Sequence, residues 1–299
     1  MSARTLNVDA ELERLQCESF NYFLHETNPA NGLVRDKSAA DWPASIAATG
    51  LALAAYPVGV ERGFMTRAGA VERTLATLRF FWNSPQGPEP DATGYHGFYY
   101  HFLDMQTGRR AWKCELSTVD SAFLLAGALT AGIYFDADTA DEREIRTLAD
   151  ALYRRADWQW AQNQGATVTH GWKPESGFLK YRWEGYDEAL LLYTLGLGSP
   201  THPPAREQLR GVGFHLPVGK MLRPRISLRR AIVHPPALAC LDRLSRDSGR
   251  FHARKRHRLF REQPPCDLRA TTVRDRQPTQ IRGLCFMLLG NHCKRGTRS

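Results

Sequence analysis

Residues 112–127 read WKCELSTVDSAFLLAG. An aromatic residue leads, two acids follow, and a run of small and apolar residues closes the stretch. Ser117 and Asp120 form the signature of a helix start, a hydroxyl with an acid three residues on. The run behind them is small and apolar, which predicts a helix over about 117–134. A second stretch, WEGYDEALLLY at 183–193, repeats the design with Glu184, Asp187 and Glu188 ahead of an apolar helix. Both stretches set carboxylates among aromatic faces at the mouth of a helix. Cleavage of bonds between sugars needs that combination: one carboxyl protonates the leaving oxygen, and another activates water or attacks the sugar.

Working outward, apolar periodicity predicts further helices. Val8, Leu12, Leu15, Ser19, Tyr22 and Phe23 share one face of a helix ending near Thr27. Others cover 43–56, with Pro43 in the first turn, then 66–82, 141–161 and about 186–197. The sum is six helices with little that must be strand, an all-α reading. Residues 83–116 are too long for an ordinary connection and too aromatic for a disordered one. Within them YHGFYYHFLD, 95–104, is also compatible with a short strand pair turning through MQTGR.

The net charge of +9 describes neither half of the chain. Residues 205–299 hold 22 Lys and Arg against 6 Asp and Glu, whereas 1–204 hold 18 against 25. All 7 Trp and all 10 Tyr precede residue 205. The first part has no basic surplus to attract nucleic acid. The second has the charge but neither stacking aromatics nor a module motif, so no nucleic-acid partner is expected. It reads as an irregular basic tail.

The cysteines include no CxxC pair, and His96 and His101 lack further ligands, so neither a zinc site nor any other metal or cofactor is expected. The N-terminus has no apolar core of a leader, which gives a cytoplasmic expectation, or a periplasmic one if translation starts elsewhere. No run approaches the roughly 18 apolar residues of a membrane span. Nothing in the sequence fixes an oligomeric state.

Each candidate acid has a structural reading beside the chemical one. Ser117 and Asp120 make a capping box without any catalysis. Asp187 suits a helix dipole, and Glu184 suits a solvated surface. Tyr95, His96, Tyr99, Tyr100 and His101 serve equally as a sugar platform or as an aromatic core beneath a long loop. Arg35, Asp36 and Trp42 are lesser candidates of the same kind.

Five segments carry a family resemblance: GLVRDK (32–37), ASIAATGLALAAYPVGVERG (44–63), GYHGFYYHFLDMQTGRRAW (94–112), ELSTVDSAFLLAG (115–127) and GYDEALLLYTLGLGSPTHP (185–203). Residues 1–204 resemble the glycoamylase-like family, bacterial glycoside hydrolases related to endo-β-1,2-glucanases. The resemblance implies an (α/α)6 toroid, of which six helices are about half. It implies a cleft at one set of helix ends, lined by Glu115, Asp120 and Glu188 as catalytic acids. Glu188 holds the acid position of the family's G-Y-x-E-A pattern, here Gly185 to Ala189. Around the acids it implies Tyr95, His96, Tyr99, Tyr100, His101, Trp112, Trp183, Glu184 and Tyr186 as the substrate-binding set, and an oligo- or polysaccharide such as a β-glucan as substrate.

The resemblance stops at about residue 204. One synonymous encoding of Phe214 to Ala231, FHLPVGKMLRPRISLRRA, read one base later, gives STYRWEKCYGHEFLYAG, which continues the family pattern. The tail 205–299 therefore reads as out of frame, and a chain so broken is expected to have little activity. A non-catalytic carbohydrate-binding remnant and a basic-tailed nucleic-acid binder are the competing readings.

Overall fold

In the computed structural model, residues 8–185 and 187–205 are described. The tail, with its frame-shifted reading, and Tyr186 lie outside them. Six helices of ten residues or more appear: α1 (Val8–His25), α2 (Ile46–Glu61), α3 (Arg67–Asn83), α4 (Thr118–Tyr134), α5 (Ala140–Arg155) and, after the short α6 (Trp158–Gln162), α7 (Ala189–Gly198).

The packing centres on α2 and α4. Both are apolar all round, and both start directly behind a serine N-cap that ends a strand, Ser45 and Ser117. Their axes approach at two glycines. A Cβ on Gly127 would lie 2.0 Å from the Gly50 carbonyl oxygen, and one on Gly50 would lie 2.4 Å from that of Phe123. Only hydrogen at both positions permits this contact. Helix α5 buries Ile145, Ala149 and Leu152, spaced at helical intervals, against its neighbours. Arg67 at the start of α3 grips Glu142 of α5 with two hydrogen bonds, 2.8 and 2.7 Å, tying those helices together.

Two expectations are corrected. The helix foreseen over 141–161 is broken: Ala156 is extended, and Asp157 starts α6 by accepting from the Trp160 amide at 2.9 Å. The cause is tertiary. The turn His96-Gly97, left-handed at both residues (φ 51° and 79°), packs against the break, and the Asp157 amide donates to the His96 carbonyl at 3.0 Å. A Cβ on Gly97 would stand 2.3 Å from the Arg155 carbonyl oxygen.

The expectation of little strand also fails. Strand β1 (Ala44–Ser45) pairs with β4 (Phe102–Leu103), and a curled antiparallel sheet runs β2 (Gly94–Tyr95), β3 (Phe98–Tyr100), β5 (Leu116–Ser117), β6 (Gly171–Lys173), β7 (Gly177–Phe178). Each strand is two or three residues long, too short to show a period of two. The 95–104 strand reading holds in part: Leu103 bridges Arg110 across the 105–109 turn.

Candidate active site

The strand register brings the first pair of site residues together. Tyr100 opposes Leu116 between β3 and β5, so the next residues outward, His101 and Glu115, face each other. The His101 amide donates to the Glu115 carbonyl at 3.0 Å, and His101 Nδ1 lies 2.9 Å from Glu115 Oε1. Two residues later Ser117 caps α4, which puts Asp120 in its first turn. The capping box is half formed. Ser117 Oγ accepts from the Asp120 amide at 3.3 Å, but the Asp120 carboxylate accepts from the Ser117 hydroxyl. Asp120 Oδ2 also stands 3.7 Å from His101 Nε2. His101 thus sits between two carboxylates.

The surroundings split these acids. Burial pushes the Asp120 carboxyl up and Glu115 adds to this, while the His101 charge and the Ser117 hydroxyl oppose; the net direction is upward. The helix N-terminus beneath it favours the anion, and desolvation outweighs that preference. At Glu115 burial also raises, but the His101 hydrogen bond, its own amide, the His101 charge and Lys173 outweigh it, and the net direction is downward. At His101 burial lowers, and Glu115, Asp120 and Asp36 overcome it to raise the imidazole above its ordinary value.

Glu188, the N-cap residue of α7, lies near enough to Asp120 for their charges to interact. It precedes the helix but its side chain makes no capping bond; Asp187 Oδ1 instead accepts from the Ala189 amide at 2.9 Å. Glu188 is exposed, and its carboxyl is raised by partial desolvation and by the charges of Asp120 and Asp187. The surroundings thus lower one carboxyl and raise two, and environments that push neighbouring carboxyls apart are what separate general acid and base roles.

Aromatic rings flank the acids on two sides. Trp183 donates from Nε1 to Thr118 Oγ1 at 3.0 Å, over the start of α4, and stacks on His170 with centroids 4.0 Å apart. Burial lowers the His170 imidazole. On the other side Trp112, 56% exposed, meets Trp42 edge-on at 4.8 Å and Phe102 at 5.2 Å, and Phe102 stacks with His101 at 4.0 Å. Trp42 donates to Asp36 Oδ2 at 3.1 Å.

Other sequence candidates lie elsewhere. Tyr99 and Tyr100 are fully buried and offer no face to a sugar. The Tyr99 hydroxyl donates to the Phe81 carbonyl at 3.1 Å, and both residues lie in the core. Tyr95 and His96 join a separate cluster: Tyr95 packs on Trp172 at 5.1 Å, and His96 stacks on Trp160 at 4.4 Å and lies 3.4 Å from Asp157. Glu184 is exposed and accepts from Thr167 Oγ1 at 3.5 Å, at the limit of a hydrogen bond. Arg35 serves the fold, bonding Glu26 at 3.0 Å and the Trp42 carbonyl at 3.1 Å.

Sequence reasoning missed His170, which sits in a stretch without periodicity, and Arg110, which reads as an ordinary surface charge. Among the described residues no group of three or more His, Cys, Asp or Glu is arranged to hold a metal ion. No described helix is long and apolar enough to cross a membrane. A groove of about 470 Å³ between α3 and α5, lined by Arg67, Val71, Arg79 and Asp141 among others, contains none of these acids.

Acids among aromatic rings at the start of a buried helix are the residue types that glycoside hydrolysis uses. In sequence and fold the chain is glucoamylase-like and related to the β-1,2-glucanases. It is similar to the crystal structure of a "putative glucoamylase" from Bacteroides uniformis, with 30% identity and a TM-score of 0.63 over 71% of this chain and 51% of that one. An endo-β-1,2-glucanase from Chitinophaga pinensis, solved with sophorotriose and glucose, shares the fold at 24% identity and a TM-score of 0.61, over 68% of this chain and 50% of that one. In sequence the chain is 26% identical over 200 residues to an exo β-1,2-glucooligosaccharide sophorohydrolase (non-reducing end) of Parabacteroides distasonis, covering 64% of this chain and 27% of the relative. The chain thus spans about half of the solved relatives and about a quarter of the curated one. No family model matches it.

Proposed function

We propose that residues 1–204 are the N-terminal half of an (α/α)6 glycoside hydrolase domain that cleaves β-1,2-linked glucan or its oligosaccharides, without a cofactor. The observation that carries this reading is the placement of His101 between two carboxylates at the start of α4, Glu115 at 2.9 Å and Asp120 at 3.7 Å, with Glu188 near enough for the Asp120 charge to raise it. In the proposed mechanism Asp120 or Glu188 gives its proton to the leaving glycosidic oxygen. The remaining carboxylate, or Glu115, activates water or attacks the anomeric carbon. Trp112 and Trp183 form the apolar walls on which pyranose faces pack. The β-1,2 linkage is taken from the named relatives.

The second part of the proposal concerns 205–299. The jump from an acidic to a basic composition at that point, with the loss of every Trp and Tyr, supports an out-of-frame tail. The test uses a gene shifted by one base after codon 204. The restored protein is expected to release soluble oligosaccharides from linear β-1,2-glucan, and not from β-1,3-, β-1,4- or α-1,4-glucans. Release from α-1,4-glucan alone would replace the substrate assignment. Release from none of them would remove the hydrolase reading.

A further inference from the structure

We propose that Arg110 is a positioning residue, which fixes the Trp112 indole as one wall of the saccharide site and fixes the adjoining Glu115; the saccharide part rests on the hydrolase reading above.

The loop 110–115 has an unusual backbone. Trp112 and Lys113 are consecutive non-glycine residues in the left-handed region, at φ 53° and 51°. Such conformations are strained for a residue with a side chain and persist only where the surroundings hold them. Here the surroundings converge on Arg110, whose side chain is 1% exposed. Its Nε donates to the Cys114 carbonyl at 2.6 Å and Nη2 to the Lys113 carbonyl at 2.8 Å. Nη1 and Nη2 take the two oxygens of Glu175, in the β6–β7 turn, at 2.7 and 3.1 Å. Nη1 also reaches the Pro90 carbonyl at 3.4 Å. The guanidinium lies 4.7 Å from the ring centroid of Tyr100. This gives the buried Tyr100 a role: its face is the platform for Arg110.

The loop held this way carries both functional groups. Trp112 leaves it into solvent against Trp42, and Glu115 leaves it toward His101. Cys114 anchors the same segment, its thiol bonded to the Phe102 backbone and pushed up to about 11 by burial. A planar fork meets carbonyls on one side and a carboxylate on the other. A lysine has the charge but neither the plane nor enough donors.

The test labels the full chain with 5-fluorotryptophan and assigns the Trp112 fluorine resonance with Trp112→Phe. In Arg110→Lys the Trp112 resonance is expected to broaden and move toward the position of a solvated indole, while that of the buried Trp158 stays in place. Glu175→Gln, a milder change for the case where Arg110→Lys fails to fold, is expected to move Trp112 the same way by less. A Trp112 resonance unmoved in a folded Arg110→Lys, or in Glu175→Gln, overturns the positioning role. Sophorotriose is then titrated into the frame-restored protein labelled in the same way. It is expected to shift the Trp112 resonance there, with affinity roughly tenfold weaker in Arg110→Lys, the scale of one lost aromatic contact. Equal affinity overturns the saccharide part of the proposal. Sophorotriose shifting no resonance in the restored protein counts against the hydrolase reading, while the fluorine line of Trp112 still decides the hold of Arg110 on its loop.

Discussion

His101 Nδ1 stands 2.9 Å from Glu115 Oε1, placed there by the pairing of two strands that the sequence does not announce. The contact raises the imidazole and lowers the carboxyl. The signs fix a pH window. A raised histidine stabilises fully below its unfolded value of 6.5 and loses that contribution as pH rises through its folded value. A lowered glutamate stabilises above its unfolded value of 4.5 and loses that contribution as pH falls through its folded value. The pair therefore contributes most between 4.5 and 6.5. An NMR titration of the histidine ring protons is expected to put His101 above 6.5, and Glu115→Gln to bring it down. A His101 titration indifferent to Glu115→Gln contradicts the pairing.

The crossing of α2 and α4 permits no added atom. Gly127→Ala forces a methyl to within 2.0 Å of the Gly50 carbonyl oxygen, which is backbone and has no rotamer to yield. The helices must separate, at a cost of about 1–3 kcal/mol or more. Denaturant unfolding is expected to give a lower midpoint with an unchanged slope, and an unchanged midpoint would show that the crossing is looser than described.

Helix α4 and its serine cap were legible in residues 117–134, because an apolar run behind a hydroxyl and an acid has one local meaning. The two-residue strands were not, since nothing local distinguishes Leu116-Ser117 from the loop before it. The break at Ala156 was hidden for a different reason: its register is helical, and only the distant His96 carbonyl draws the Asp157 amide away. Among the candidate residues, Glu115 and Asp120 both lie beside His101, which the sequence had placed only in an aromatic platform, and Trp112 reaches that histidine through Phe102. Tyr99 and Tyr100 looked like a platform because aromatic density is the same in a cleft and in a core. Their burial depends on Phe81 and Arg110, which the local sequence does not link to them.

On the function proposed above, Trp112 is a wall of the site and not a reactant. In a frame-restored enzyme, Trp112→Ala is expected to raise KM by roughly tenfold while kcat changes little, since stacking on a sugar face holds ground state and transition state alike. A collapse of kcat at unchanged KM would move Trp112 into the chemistry.

The frame proposal makes a separate prediction for the chain as given. Residues 205–299 hold 22 Lys and Arg without a helical period. Trypsin is expected to cut there first and to leave a fragment near residue 205 that survives longer. The chain is expected to release little sugar from any glucan. A protease-resistant tail in a soluble, cooperatively melting protein would contradict this.

The most direct test of the account is the rate of β-1,2-glucan hydrolysis by the frame-restored protein beside its Asp120→Asn and Glu188→Gln variants. Amide for carboxyl keeps volume and removes the proton. The account predicts that each variant folds like the parent and loses roughly 100-fold or more of the rate, the scale of an acid–base residue. Near-parental hydrolysis in both variants would contradict it, and would leave Asp120 as a first-turn partner of the Ser117 cap and nothing more.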